Sequence, residues 1–392
     1  MELYKKQLLN ILNCSISNRK FYEYEKDEMK WEKIIEEADR HKISALIYNS
    51  INKETLKAID PNILNKWKIS ILQSNIIQIN MLNYAREILL GLQENGIKVI
   101  VLKGIILKSL YQRYEFRTMY DLDILVHTRN YEFVKEYLKK IGYVCEKKGS
   151  PIHSKFYNEN KLVVEVHWKL INKDYYIGDE EEFEENIWKN TKELNIYGMK
   201  ITTLSDENFL IHMLMHMAVH IKCNGFGLRQ LYDLALFSKV KCELIEWENF
   251  KYRVNQYGII VFVEGLYAVC DKIFKIQIPY FNLRDTTLKE EHINLLLNNI
   301  IDSGLDEEIN SDFKLRYNNK AIKVINIVFK SRKELAPTYN YVKKYCFLLP
   351  IAWVHRIFRV IRKYGLINIF RYMQQEIVIR EMKLKIINIF DL

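Results

Sequence analysis

Arg117-Thr-Met-Tyr-Asp-Leu-Asp-Ile-Leu-Val126 is the stretch on which the fold turns. Successive side chains of a strand point to opposite faces, so Asp121 and Asp123 share one face while Leu122, Ile124 and Val126 share the other, toward a core. Two carboxylates held that close repel each other unless a cation lies between them. Such oxygen ligands suit Mg²⁺, which is usually held by one or two carboxylates together with substrate phosphates. Taken alone, the pattern also fits a solvated edge strand with two surface acids. Context has to decide.

Upstream, Lys98-Val-Ile-Val-Leu102 is a short β-rich run that follows Asn95-Gly96 and ends at Lys103-Gly104, with a helical stretch beyond it to about Tyr111. A strand that opens into a helix at Lys103-Gly104 offers backbone N–H groups to a phosphate. Arg117, four residues before Asp121, is placed to neutralise one. Downstream, Tyr131 to Ile141 is an amphipathic helix ended by Gly142, and Tyr143–Glu146, Lys155–Asn158 and Leu162–Trp168 read as strands. Glu165, between Val164 and Val166, adds a third carboxylate if its strand neighbours the first. His167 shares the face of Glu165, where it could brace that acid, meet a phosphate or serve structure alone. His127, just past the Asp strand, could also reach a phosphate.

A glycine turn, two acids on one strand and a third acid on another resemble the polymerase-β-like nucleotidyltransferase superfamily, and more closely its bacterial branch of uncharacterised nucleotidyltransferase family proteins. The residues that carry the resemblance are Val101-Leu-Lys-Gly104, Arg117 to Val126, Leu138 with Ile141-Gly-Tyr143, Val164-Glu-Val-His-Trp168, and a helix with His212 and His216 followed by Leu228-Arg-Gln-Leu-Tyr-Asp233. The resemblance implies a small mixed sheet flanked by helices. It implies Asp121 and Asp123 as ligands of two catalytic Mg²⁺ ions, and Glu165 as third ligand or acceptor-activating base. Lys103, Gly104 and Arg117 would hold the phosphates of a nucleoside triphosphate. Two features depart from the superfamily pattern. Ile105 stands where a phosphate-touching Ser is usual, and the gap from Gly104 to Asp121 is longer than usual.

The rest of the chain is helical in texture. Residues 1–92 read as helix throughout, and helices return from Glu180 onward. His212, His216 and His220 fall at four-residue steps on one helix face. Without the H-E-x-x-H order they read first as a buried polar stripe bonded to Asp233 or to backbone, and second as part of a substrate-holding element with Arg229 and Asp233.

The charge of +10 over 392 residues is unevenly placed. Residues 320–392 hold 15 Lys and Arg against 4 Asp and Glu, which leaves residues 1–319 at −1. Within 340–364, Trp353, Ile357, Val360, Ile361 and Tyr364 share one side of a helix whose other side carries Arg356, Arg359, Arg362 and Lys363. Such a helix packs on the body, lies on an anionic membrane surface or meets an acidic partner. Aromatics are not interleaved with these cations as a single-strand-binding surface requires, so general nucleic-acid binding is not expected. Six scattered cysteines with no C-x-x-C pair point to a reduced, cytoplasmic chain, peripheral at a membrane if the basic segment docks there. The opening Met1-Glu-Leu-Tyr-Lys-Lys is a poor signal peptide, and no apolar run approaches the ~20 residues of a spanning helix.

The expected architecture is therefore α+β. It has an N-terminal helical region (1–92), a nucleotidyltransferase-like core (93–175), a second helical region (176–319) and a basic helical segment (320–392). The expected activity is Mg²⁺-dependent transfer of a nucleotidyl group from an NTP to a small or medium acceptor or peptide, of the kind used in polysaccharide or peptide natural-product biosynthesis. A non-catalytic or antitoxin-like binding protein, or a sugar or phosphosugar transferase using the same metal site, are the alternatives.

Overall fold

In a computed structural model, residues 1–22, 29–146, 150–159, 161–170, 180–223, 225–281, 287–303, 335, 341, 348–355 and 381–392 are described. The chain is α+β, with a small mixed sheet between two helical regions. Contacts group it into two units, Met1–Glu307 with Asn388–Leu392, and Glu308–Ile387. In the second, Leu335 and Ala352 are buried among Tyr341, Leu349 and Trp353. The basic residues Arg356 to Tyr364 lie outside the described residues. No described helix is long and apolar enough to cross a membrane.

The first unit begins with α1 (Leu3–Ile16), α2 (Trp31–Arg40), α3 (Ser44–Ser50), α4 (Lys53–Ala58) and α5 (Pro61–Glu94). Asp60 starts the long α5 by accepting from the N–H groups of Asn62 and Ile63, while Pro61 supplies a helical φ where no N–H is needed. Trp67 anchors the helix in the N-terminal core. Its ring meets Tyr48 edge-on at 5.1 Å and its indole N–H donates to Ser44 at 2.7 Å.

The sheet follows. Its strands are β1 (Ile100–Val101), β2 (Asp121–Leu125), β3 (Val144–Cys145), β4 (His153–Tyr157) and β5 (Val163–His167), in the order β1-β2-β5-β4-β3. The short α6 (Gly104–Lys108) precedes β2, and α7 (Tyr131–Lys140) crosses from β2 toward β3. β2 and β5 are parallel with Asp123 opposite Glu165, and the other pairs are antiparallel. Leu122, Ile124, Phe156, Val164 and Val166 are all buried at 1% exposure or less, which fixes the apolar face and commits the alternate residues to the other.

Past α8 (Glu180–Lys189) comes a hairpin absent from the sequence reading, β6 (Thr191–Ile196) and β7 (Met199–Leu204). Tyr197 and Gly198 turn it with φ of +52° and +75°, the positive pair a two-residue hairpin loop requires. The Thr203 hydroxyl of β7 donates to the Val101 carbonyl at 2.7 Å, so the hairpin covers the β1 edge of the sheet. Helices α9 (Asp206–Cys223), α10 (Leu228–Lys241), α11 (Trp247–Gln256), α12 (Ile260–Phe274) and α13 (Glu290–Ser303) complete the unit. The Phe390 ring seals it against Phe262, over Gly265, where an added Cβ would lie 2.3 Å from the ring.

The long connection between α6 and β2 is pinned from beneath by Lys108, which is fully buried. Its ammonium donates to Gln78 Oε1 at 2.8 Å and to the Tyr114 and Arg117 carbonyls at 3.1 and 2.6 Å. Burial, then the nearby Arg117 and Arg229, push the Lys108 amine down to about 7. Lys108→Met is expected to destabilise the protein by about 2–3 kcal/mol, because the Arg117 carbonyl is left without its donor. Between pH 7 and 10 the unfolded lysine binds a proton that the folded one does not, so the wild-type advantage over Lys108→Met should widen as pH rises through that window. Urea unfolding at pH 7 and pH 9 measures both effects, and a constant or shrinking gap would count against this role.

Candidate active site

The polar face of the sheet gathers Asp121 and Asp123 from β2, Glu165 and His167 from β5, and His153 and Lys155 from β4. Register does this. Glu165 is paired with Asp123 on one side and Lys155 on the other, and His167 with Leu125 and His153. Asp123 is 5% exposed. Its Oδ1 lies 3.4 Å from His167 Nε2 and its Oδ2 3.8 Å from Lys103 Nζ. Glu165 Oε1 lies 2.5 Å from Lys155 Nζ and its Oε2 3.7 Å from His167 Nε2. One ligand atom each from Asp123, Glu165 and His167 fall within 4.8 Å of one another. Asp121 stands half-buried on the same face opposite Val163, outside that cluster, and its charge reaches Arg117 and Lys155.

Electrostatics follow from these contacts. Burial opposes the charge on Asp123, yet the Lys103 ammonium and the His167 ring hold its carboxyl far below the usual range. Burial and Asp123 also oppose the charge on Glu165, but His167 and Lys155 outweigh them and hold it at about 2. The two carboxylates in turn raise His167 in spite of its burial. Two lysines and a histidine thus offset the repulsion among the acids.

Lys103 reaches Asp123 from a strained backbone, at φ +22° and ψ −83°. The strain is held in place by the Leu102 N–H, which donates to the Asp123 carbonyl at 3.0 Å. Gly104 is needed here for packing, since an added Cβ would lie 2.7 Å from Met119 Sδ. Ile105 is fully buried and brings no hydroxyl to this turn.

Arg117 departs from the sequence reading, which set it toward phosphate. Its guanidinium forms a bidentate pair with Asp233, Nε to Oδ1 and Nη2 to Oδ2 both at 2.9 Å, and donates from Nη1 to the Gly104 carbonyl at 3.3 Å. Tyr111 donates to the same Asp233 Oδ1 at 2.7 Å. A guanidinium this deeply buried needs a buried anion, and α10 supplies it. Arg229, also on α10, donates to the Thr118 carbonyl and hydroxyl at 2.9 and 3.0 Å. Arg229 and Asp233 therefore clamp the residues that lead into β2.

The α9 histidines do not bond Asp233, which is engaged by Tyr111 and Arg117. The rings of His212 and His216 are 6.3 Å apart and those of His216 and His220 4.3 Å. Burial, followed by Lys103, pushes His212 and His216 well below their ordinary value and His220 down to about 4. Buried His212 Nε2 has no hydrogen-bond partner among the described residues, and His212 lies within electrostatic reach of Asp123 and His167. His127 stacks on Trp188 at 3.6 Å, in a cleft of about 240 Å³ that Trp168 also lines. His153 and Lys155 were missed from sequence. Alternation along 153–157 was the available signal, but it needed the β4–β5 register to reveal their target.

Breaking the clamp should be costly. Asp233→Ala strands a buried guanidinium and is expected to lose about 3–5 kcal/mol. The double variant Arg117→Met with Asp233→Leu should recover more than half of that in chemical denaturation. Additive losses would show that the pair is not a unit.

Three solved structures share parts of the layout. A lincosamide antibiotic adenylyltransferase, LnuA, bound to lincomycin, matches at 19% identity over 40% of this chain and 96% of its own, with a TM-score of 0.31. The antibiotic-resistance factor ANT(2'')-Ia matches at 11% identity over 50% and 97%, with a TM-score of 0.36. An antigenic nucleotidyltransferase-like protein from Paracoccidioides brasiliensis matches at 14% identity over 52% and 93%, with a TM-score of 0.29. No curated protein sequence matches significantly. Residues 27–275, which span every strand and all the site residues above, match the family described as uncharacterised nucleotidyltransferase. The chain belongs to that family.

Proposed function

We propose that the protein transfers a nucleotidyl group from an NTP to a hydroxyl or phosphate of a small or medium acceptor or peptide, in a Mg²⁺-dependent reaction suited to polysaccharide or peptide natural-product biosynthesis. The observation that supports this most is the buried convergence of Asp123, Glu165 and His167 beside Lys103. These residues fit a divalent ion. Their donor atoms are within 4.8 Å of one another, and in the free protein their charge is offset by protonatable groups that a cation can replace. Asp123, Glu165 and the neighbouring Asp121 would hold two Mg²⁺ ions. A bound ion supplies charge neutralisation for the triphosphate and acidifies an acceptor hydroxyl.

The chain's own groups do the rest. Lys103 and Lys155 stand at opposite sides of the acids and can turn their ammonium groups to phosphate oxygens once the carboxylates are satisfied otherwise. Glu165, held low by His167 and Lys155, is ionised and suits ligation. Gly104 keeps the Lys103 turn close to β2, while Arg117, Arg229 and Asp233 position the strand. His167 lies between the two acids, and His212 and His216 are within electrostatic reach of Lys103 and His167. Ile105 in place of a hydroxyl favours a second reading, a non-catalytic binding protein on the same fold.

A thermal-shift panel of NTPs and nucleotide sugars, with and without Mg²⁺, separates these readings. At a hundredfold excess over Kd, one NTP should stabilise the full chain by about 2.7 kcal/mol, in the presence of Mg²⁺ and not in its absence. Asp121→Ala with Asp123→Ala should abolish the shift. No Mg²⁺-dependent shift with any nucleotide would overturn the enzyme reading. A Mg²⁺-dependent shift without pyrophosphate release on any acceptor tried would favour the binding protein.

A further inference from the structure

The site holds a donor that two-carboxylate chemistry does not require. His167 Nε2 lies 3.4 Å from Asp123 Oδ1 and 3.7 Å from Glu165 Oε2. The first is a long hydrogen bond and the second lies beyond hydrogen-bond reach, since such bonds weaken past about 3.2 Å for nitrogen and oxygen. Both distances are close to the separation of adjacent ligands around one ion, roughly 3 Å for an octahedron with bonds of about 2.1 Å. Each oxygen thus lies near the spacing of an adjacent ligand from the shared nitrogen, and one ligand atom from each residue falls within 4.8 Å of the others. His167 itself is 6% exposed, and strand pairing on both sides, opposite Leu125 and His153, fixes its backbone beside the acids. A second buried nitrogen, His212 Nε2, has no hydrogen-bond partner among the described residues and belongs to a ring within electrostatic reach of Asp123 and His167. The surroundings of the acids are therefore richer in imidazole than a Mg²⁺ site needs.

We propose that His167 Nε2 is an ion ligand beside Asp123 and Glu165, and that this mixed oxygen and nitrogen set makes the site select Mn²⁺ over Mg²⁺. The inference rests on the divalent-ion reading above and deepens it. Mg²⁺ takes oxygen almost exclusively and dehydrates reluctantly, whereas first-row transition ions, of which Mn²⁺ is the one that best tolerates carboxylates, also accept imidazole. Two carboxylates keep the site hard enough for Mn²⁺, and the single imidazole supplies the discrimination. Asp121, outside the three-atom cluster, is left to meet a second ion or the nucleotide.

Electron spin echo envelope modulation of the full chain loaded with Mn²⁺ reads the ligand directly. The expected result is the ¹⁴N modulation of a bound imidazole, replaced by a ¹⁵N pattern when histidine is isotopically labelled. The signal should be lost in His167→Gln and kept in His153→Gln, and competition titration should give an affinity for Mn²⁺ at least about tenfold above that for Mg²⁺. The labelled wild-type measurement stands even if His167→Gln does not fold. Bound Mn²⁺ without nitrogen modulation, or modulation that survives His167→Gln, would overturn the proposal and leave the carboxylate site intact. Equal affinity for the two ions would overturn the selectivity. Failure of both ions to bind would overturn the proposal together with the metal-dependent function.

Discussion

The parallel pairing of β2 with β5 sets Asp123 directly beside Glu165, and the rest of the structure is organised around the repulsion this creates. Side by side in a buried face, two carboxylates are tolerable only if each is charged against something. Lys103 answers Asp123, Lys155 answers Glu165, and His167 stands between them. The strained turn at Lys103 and the glycine after it are the local cost of bringing one of those cations over the strand from the preceding loop. Each of these acids is thus matched by a cation that the chain itself supplies.

Behind this face lies a second buried charge system. Asp233 holds Arg117, and Arg229 holds Thr118, so helix α10 fixes the entry to β2. Lys108 and Gln78 fix the same segment from the other side, with Gln78 Oε1 accepting from both the lysine and the Met119 N–H. The family match runs from residue 27 to residue 275 and so includes both the helices that supply these braces and the strands that carry the acids. The helical regions are therefore part of the site's support.

Much of this was legible in the sequence for reasons of period. The alternation in 121–126 and 162–168 encodes two strands, and with them the shared face of Asp121 and Asp123 and that of Glu165 and His167. The partners of the charges were not legible, because they come from distant segments. Asp233 is 116 residues from Arg117, and nothing local to Arg117 distinguishes a guanidinium bound for phosphate from one bound for a carboxylate. Lys155 lay in a recognised strand, yet its pairing to Glu165 depends on the β4–β5 register. The β6–β7 hairpin escaped because its turn, Tyr197-Gly198, lacks the usual Asn or Asp before glycine and its strands alternate only weakly.

In the proposed reaction the acids of β2 and β5 hold a cation together with a triphosphate. Crystals of the full chain grown with Mn²⁺ and a non-hydrolysable NTP analogue test it through the anomalous difference map. The expected result is a peak shared by Asp123 and Glu165, with the triphosphate extending from it toward Lys103. Nucleotide bound elsewhere, with Glu165 still paired to Lys155 and no anomalous peak beside Asp123, would contradict it.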